Sequence, residues 1–525
     1  MPVKTTTLQT NPVLVQQHNL SIELDSALDS KVNVPPKARV ISATILTFGA
    51  ALTHLTCFDR WDQPQDVVLG FDHWQDYLTQ AEPGALNPYF GSIIGRTASR
   101  IARASFILEN QQRHAPGTSE YGRKKLDSVS ETYFPFSTSL PDQSTHALEV
   151  SNGVDCHHGG PCGFDKQHWT TICTSDAEQK EDDKNECEPF VTLQLVSPHG
   201  QNGYPGRLVT TVKYQLTKLG ELVIEYWARL ETADSASDST DDEEFRQLDL
   251  HSTIVSLTNH TYWNLDGVLN PHDNQFQDLV GEEEENSLVI RNICSVKDHT
   301  LWLGTSKLVE LGEQHPVPTG RILELSKGSE AGAQEDERVI LDFSSSSNAR
   351  SYKRLGPGLD QIPGGYGYDH VYALDPPASA PQSVSDIGIQ GYFPSTPHVA
   401  TLKSPRTGIR LDISTSEPAL VLYAAGYLDQ KMLPRTKSKS FDLPTSSSTF
   451  FISPSATPLG ANDTKLGQKG KSLLINAEMG KFAGVCLEPI RYPDAIHHPD
   501  WHNMVILHHD QVYRQKSVYK FSVEL

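Results

Sequence analysis

Residues 207–231 read RLVTTVKYQLTKLGELVIEYWARLE. Leu208, Thr210, Val212, Tyr214 and Leu216 alternate with more polar neighbours. After Lys218-Leu219-Gly220-Glu221 the alternation resumes as Leu222, Ile224, Tyr226, Ala228 and Leu230. Successive side chains of a strand point to opposite faces, so a period of two buries one face and wets the other. Two such runs around a Gly-containing turn predict an antiparallel hairpin. Ser517, Tyr519, Phe521 and Val523 repeat the pattern near the other end of the chain. Amphipathic helices of three or more turns are scarce. Short strands with frequent turn residues, 36 Gly and 33 Pro in 525 residues, predict an all-β chain built as an antiparallel β-sandwich or barrel.

Hydrophobic residues make up 37% and charged residues 21%. That composition builds a sizeable core and excludes a wholly disordered chain or a collagen. The formal charge of −21 is local. Residues 176–188 hold seven acids against two lysines, residues 231–244 seven acids and no base, and Glu282 to Glu285 four more. These runs read as solvated loops. With no basic stripe, nucleic acid is a poor partner. No apolar stretch approaches the roughly 20 residues that cross a bilayer, and residues 1–20 show no apolar leader segment. Seven scattered cysteines do not form a disulfide framework, so a reducing, cytoplasmic setting is expected.

Polar segments near 112–146, 176–188, 231–246, 326–338, 376–388 and 432–472 interrupt the strand pattern. None suits a separate domain, and loop length costs little stability. They read as surface insertions in one domain over 38–525, preceded by an N-terminal extension, 1–37, that is partly disordered or an added strand.

Four clusters carry possible chemistry. Asn87-Pro88-Tyr89-Phe90-Gly91 leads into Ile94-Gly95-Arg96-Thr97-Ala98-Ser99-Arg100, where paired arginines are surface or salt-bridged residues or a clamp for a polar ligand. Cys156-His157-His158-Gly159-Gly160-Pro161-Cys162 is dense in metal-ligand types, but its spacing fits no closed zinc site, so no metal is expected. Leu257-Thr258-Asn259-His260-Thr261-Tyr262-Trp263-Asn264-Leu265 interleaves aromatic and amide side chains, which suits a sugar ring with apolar faces and a polar rim. Glu488, within Gly484-Val485-Cys486-Leu487-Glu488-Pro489, is a carboxylate in an apolar run. Burying it is expensive unless it is paired or used, and burial raises its pKa towards that of a general base. With Asp369 in Gly367-Tyr368-Asp369-His370, these residues fit acid–base chemistry on a neutral polyol.

At these residues the chain resembles the aldose 1-epimerase (galactose mutarotase) family. The matches run in the family's order: Val67 to Phe71, Asn87 to Arg100, His158-Gly159-Gly160 with Gly163 to Lys166, Ser197 to Gly200 with Gly203 to Gly206, Leu257 to Leu265, Pro318-Thr319-Gly320, Gly367 to His370, and Leu487-Glu488-Pro489. The resemblance implies a large twisted antiparallel β-sandwich, the galactose mutarotase-like supersandwich. It implies interconversion of α and β anomers of a free aldohexose, with no cofactor. By the same matching Glu488 is the general base and His260 the general acid. His158 lies near the ring oxygen, while Arg100 and Asp369 hold hydroxyls. Neighbouring carboxylates are expected to raise the pKa of His260. Ser99 stands where many relatives carry Asn. Glu417, in Thr415-Ser416-Glu417-Pro418-Ala419, stands where relatives often carry Gln, and is expected to accept from a sugar hydroxyl. These two departures and the long acidic insertions motivate an alternative, a non-catalytic sugar-binding or regulatory protein on the same scaffold. The expected partner is a small aldose, with no membrane, and the expected state a monomer or weak homodimer.

Overall fold

A computed structural model describes residues 3–9, 14–21, 40–82, 85, 87–109, 143–178, 188–231, 251–268, 283–284, 287–312, 316–325, 337–344, 351–375, 396–429, 437–442 and 472–524. The hairpin forms as its alternation predicts. Arg207–Leu216 pairs antiparallel with Glu221–Glu231, Leu216 facing Leu222 across the turn. Gly220 closes that turn with φ of 73°, a left-handed conformation that glycine adopts without steric cost.

The hairpin lies in a nine-stranded sheet. Its order is Thr170–Thr174, Phe190–Ser197, Arg207–Leu216, Glu221–Glu231, Tyr513–Val523, Ile409–Thr415, His398–Lys403, Thr300–Leu303 and Lys353–Arg354. The C-terminal alternating run is thus a central strand, packed between Glu221–Glu231 and Ile409–Thr415. A six-stranded sheet runs Tyr262–Trp263, Val485–Ile490, Ala419–Tyr423, Asp369–Ala373, Lys307–Leu311 and Pro318–Glu324. The inward residues of both sheets share one core: Val212, Tyr214, Ile224, Tyr226, Leu411 and Tyr519 from the first, Trp263, Tyr372, Leu420, Leu422 and Leu487 from the second. This is the all-β sandwich expected. Burying a side chain of this size stabilises the fold by about 1.5–3 kcal/mol.

The sheets are not wholly antiparallel. Ser287–Ile293 runs parallel to Ser472–Glu478, two strands far apart in sequence that a hairpin does not join. Most of the expected insertions lie outside the described residues, but some described parts are regular. Gln143–Ala147, which starts inside 112–146, pairs with Ser105–Glu109. Ser438–Asp442, inside 432–472, pairs with Ser472–Glu478. Ser175–Glu178 is a short helix. Polar composition hid these strands because sheet partners, not local pattern, satisfy their backbones. Lys4–Gln9 and Leu14–Ser21 add two strands beside Val40–Leu46. No described helix is long and apolar enough to cross a membrane.

Candidate functional site

Glu488 lies in Val485–Ile490, a strand whose residues are all buried. Side-chain alternation sends Val485 and Leu487 into the core between the sheets. Cys486 and Glu488 therefore project from the other face. Asp369 is paired across the sheet with Tyr423, and Tyr423 with Cys486. Val421, two residues before Tyr423, is paired with Glu488. Strands pack about 4.8 Å apart, so Asp369 and Cys486, two strands apart, are separated by roughly 10 Å of sheet, room for one pyranose ring and its hydroxyls.

His260 reaches this face from the neighbouring segment. Its Nε2 lies 3.8 Å from Glu488 Oε1, and both side chains are almost fully buried, 6% and 5% exposed. Its Nδ1 lies 3.6 Å from Cys486 Sγ. The aromatic rings of Tyr89, Tyr262 and Tyr423 surround it. The His158 ring stands edge-on to His260 with centroids 5.5 Å apart. Two residues remote in sequence from Glu488 are thereby brought to it.

The two histidines are held differently. His158 Nδ1 accepts from the backbone N–H of Ser99 at 3.2 Å, and the His158 N–H donates to the Ser99 carbonyl at 3.0 Å. A neutral ring whose Nδ1 accepts must carry its proton on Nε2. Burial, then His157, His260, Arg100 and Lys166, push its pKa well below the usual value. His158 is a fixed neutral donor. The chain reaches this position by a tight turn: Gly159 has φ of 82°, and a side chain there would run into the Gly95 carbonyl.

Burial pulls His260 down to about 4, although its own backbone carbonyl, by accepting a ring proton, opposes the fall. This overturns the expectation that carboxylates would raise it: desolvation of a buried imidazolium outweighs its neighbours. Burial, with Asp369 adding, pushes Glu488 well above the usual carboxylate range. Burial thus favours a neutral imidazole beside a neutral carboxyl over the ion pair.

Arg100 sits half-buried at the edge of the site, its Nε 3.9 Å from Asp155. Asp369 is exposed at the mouth, its carboxyl raised by surrounding protein and lowered again by Arg100. The other arginine of the motif has a different task. Arg96 is 2% exposed and donates to the carbonyls of Ser197, Pro198, Pro205 and Gly206 and to Ser197 Oγ. It is neither a surface arginine nor a clamp; it ties together three motif segments.

Glu417 is not in the cleft. It has no exposure and pairs with Arg491, Oε2 to Nε 2.7 Å, also fully buried. Alternation from Glu488 puts Arg491 on the opposite face of its strand. Burial raises Glu417 to about 7, against the pull of Arg491. No sugar hydroxyl reaches it, and its charge is matched internally. Ser99 contributes through its backbone, with φ of 62°.

Sequence reasoning passed over Tyr89 and Cys486. Tyr89 packs between His158 and His260, centroids at 4.8 and 5.5 Å. Cys486, two residues before Glu488 in a strand, had to share its face; that spacing was the available signal. His260, Cys486 and Glu488 bring one potential metal-ligand atom each within 4.8 Å of one another. The thiol lies 3.6 Å from Nδ1 and the carboxylate 3.8 Å from Nε2, on different edges of the ring. The arrangement fits a proton-sharing pair with a thiol behind it.

The sequence profile described as aldose 1-epimerase matches residues 37–128 and 242–520. The galactose mutarotase of Homo sapiens is 24% identical over 484 residues, 92% of each chain. That of Bos taurus is 25% identical over 479 residues, 91% of this chain and 90% of its own. Among solved structures, the GalM/aldose epimerase homologue from C. elegans superposes with a TM-score of 0.55 at 21% identity, covering 93% of this chain and 97% of its own. The galactose 1-epimerase of Lactobacillus acidophilus also gives 0.55, at 17% identity, covering 99% and 100%.

Proposed function

This chain belongs to the aldose 1-epimerase family, and from that premise we propose that it is an isomerase interconverting the α and β anomers of a free aldohexose such as glucose or galactose. The observation carrying the reading is the buried Glu488–His260 pair, 3.8 Å apart, on a sheet face shared with Asp369.

Glu488, as carboxylate, takes the proton from the anomeric hydroxyl. His260, as imidazolium, gives the Nε2 proton to the ring oxygen. The bond from C1 to the ring oxygen breaks as C1 becomes a carbonyl. Rotation about C1–C2 presents the other carbonyl face, and reclosure returns each proton to its donor. His158 Nε2–H donates to the ring-oxygen side, while Arg100 and Asp369 hold hydroxyls. The uncharged pair, which burial favours, matches the ring-opened stage, and the pair with its proton on His260 Nε2 is the form that opens a closed ring. A positioned acid or base supplies about 10²–10⁴ in rate.

The non-catalytic alternative drew on Ser99, Glu417 and the acidic insertions, which lie largely outside the described residues. Ser99 supports His158 through its backbone and Glu417 is occupied on the far face, so neither speaks against catalysis. We place the protein in the cytosol, in keeping with six described cysteines that form no disulfide among themselves. Polarimetry or anomer-exchange NMR of fresh α-D-glucose and α-D-galactose tests the activity. Acceleration above buffer is expected. Folded protein that binds sugar by calorimetry without anomer exchange would replace this reading with the sugar-binding one.

A further inference from the structure

Resting on the acid–base reading of His260 and Glu488, we infer that Cys486 is a positioning residue: its sulfur accepts from His260 Nδ1–H and so reserves Nε2 as the nitrogen that gains and loses the catalytic proton. Three observations carry this. First, Cys486 Sγ lies 3.6 Å from Nδ1, while Nε2 faces Glu488. Second, Cys486 and Glu488 alternate onto one face of Val485–Ile490, so the strand itself fixes which edge of the ring each one meets. Third, Cys486 is fully buried, with Tyr262 and Tyr423 as its cross-strand neighbours.

The chemistry asks for this arrangement. In the proposed cycle Nε2–H goes to the ring oxygen and the lone pair left behind must take it back. That requires Nδ1 to keep its proton in the neutral ring. The nitrogen that titrates is set by the hydrogen bond the other one makes. A ring flipped to the Nε2–H tautomer presents no lone pair to Glu488 and stalls the shuttle. The thiol thus stands to His260 as Ser99 N–H stands to His158, with the opposite sense: one backbone donor fixes Nε2–H, one sulfur acceptor fixes Nδ1–H. The two histidines divide the work between a standing donor and a shuttle.

The test uses the full chain with Cys486→Ala and Cys486→Ser, read by anomer-exchange kinetics and by ¹⁵N NMR of the His260 imidazole. Wild-type protein should show the neutral Nδ1–H tautomer. Cys486→Ala should mix the tautomers and lower kcat roughly ten- to hundredfold with little change in KM, as loss of an orienting partner does. Cys486→Ser, which keeps an acceptor, should restore Nδ1–H and most of kcat. A wild-type ring in the Nε2–H tautomer overturns the inference even if the alanine variant does not fold. So does an alanine variant with wild-type tautomer and kcat. Full activity of Glu488→Gln would instead remove the acid–base reading beneath it.

Discussion

Glu488→Gln separates the chemistry of this site from its stability. The side chains have nearly the same volume, so packing in Val485–Ile490 is kept. The amide cannot take a proton from the anomeric hydroxyl. Losing one positioned base costs about 10²–10⁴ in rate, or about 3–5 kcal/mol of transition-state stabilisation. Stability moves the other way. Burial and Asp369 raise the Glu488 carboxyl above its unfolded value of 4.5. A raised folded pKa contributes stability that is fully present below about pH 4.5 and is lost as pH rises through the folded value. Within that window wild-type protein loses about 1.4 kcal/mol per pH unit from this group, and glutamine, always neutral, does not. Urea melts at pH 5, 6 and 7, beside anomer-exchange rates at pH 7, give both numbers. The variant should lose at least 99% of the acceleration and gain on wild type as pH rises. A variant that retains most of the acceleration refutes the base assignment. A stability difference that is flat with pH refutes the raised carboxyl.

Further outcomes follow from the same structure. His18 is fully buried between Thr5 and Thr171, and burial lowers it from 6.5 to about 4. A depressed folded pKa contributes stability present above pH 6.5 and lost as pH falls through 4, about 3 kcal/mol in all. Acid titration of stability should therefore be shallower in His18→Gln than in wild type. Arg96→Met strands four backbone carbonyls and should cost about 4 kcal/mol or more of stability. Arg100→Met should leave the melting temperature near wild type while raising KM for the sugar. At pH 8, where Glu417 is ionised, Glu417→Gln removes the buried carboxylate that pairs with Arg491 and should cost about 3 kcal/mol. Its KM should not change; a raised KM would return Glu417 to the cleft.

The sequence by itself determined the strands and the inventory. A two-residue period is a local property, so the hairpin at 207–231 and the strand ending at Val523 could be read directly. Motif context singled out His158, His260, Asp369 and Glu488 for the same reason: the residue types stand in order along the chain. Tertiary structure decided everything that depends on which strand lies beside which. The parallel pairing of Ser287–Ile293 with Ser472–Glu478 joins segments nearly two hundred residues apart. Arg96 and Arg100 differ by four positions, yet one ends inside a ring of carbonyls and the other beside the cleft. Glu417 and Glu488 are both buried glutamates, and the fold gives one to Arg491 in an internal ion pair and sets the other beside His260. Side-chain type sets what a group can do; the desolvation and the partner that set its proton arrive with the fold.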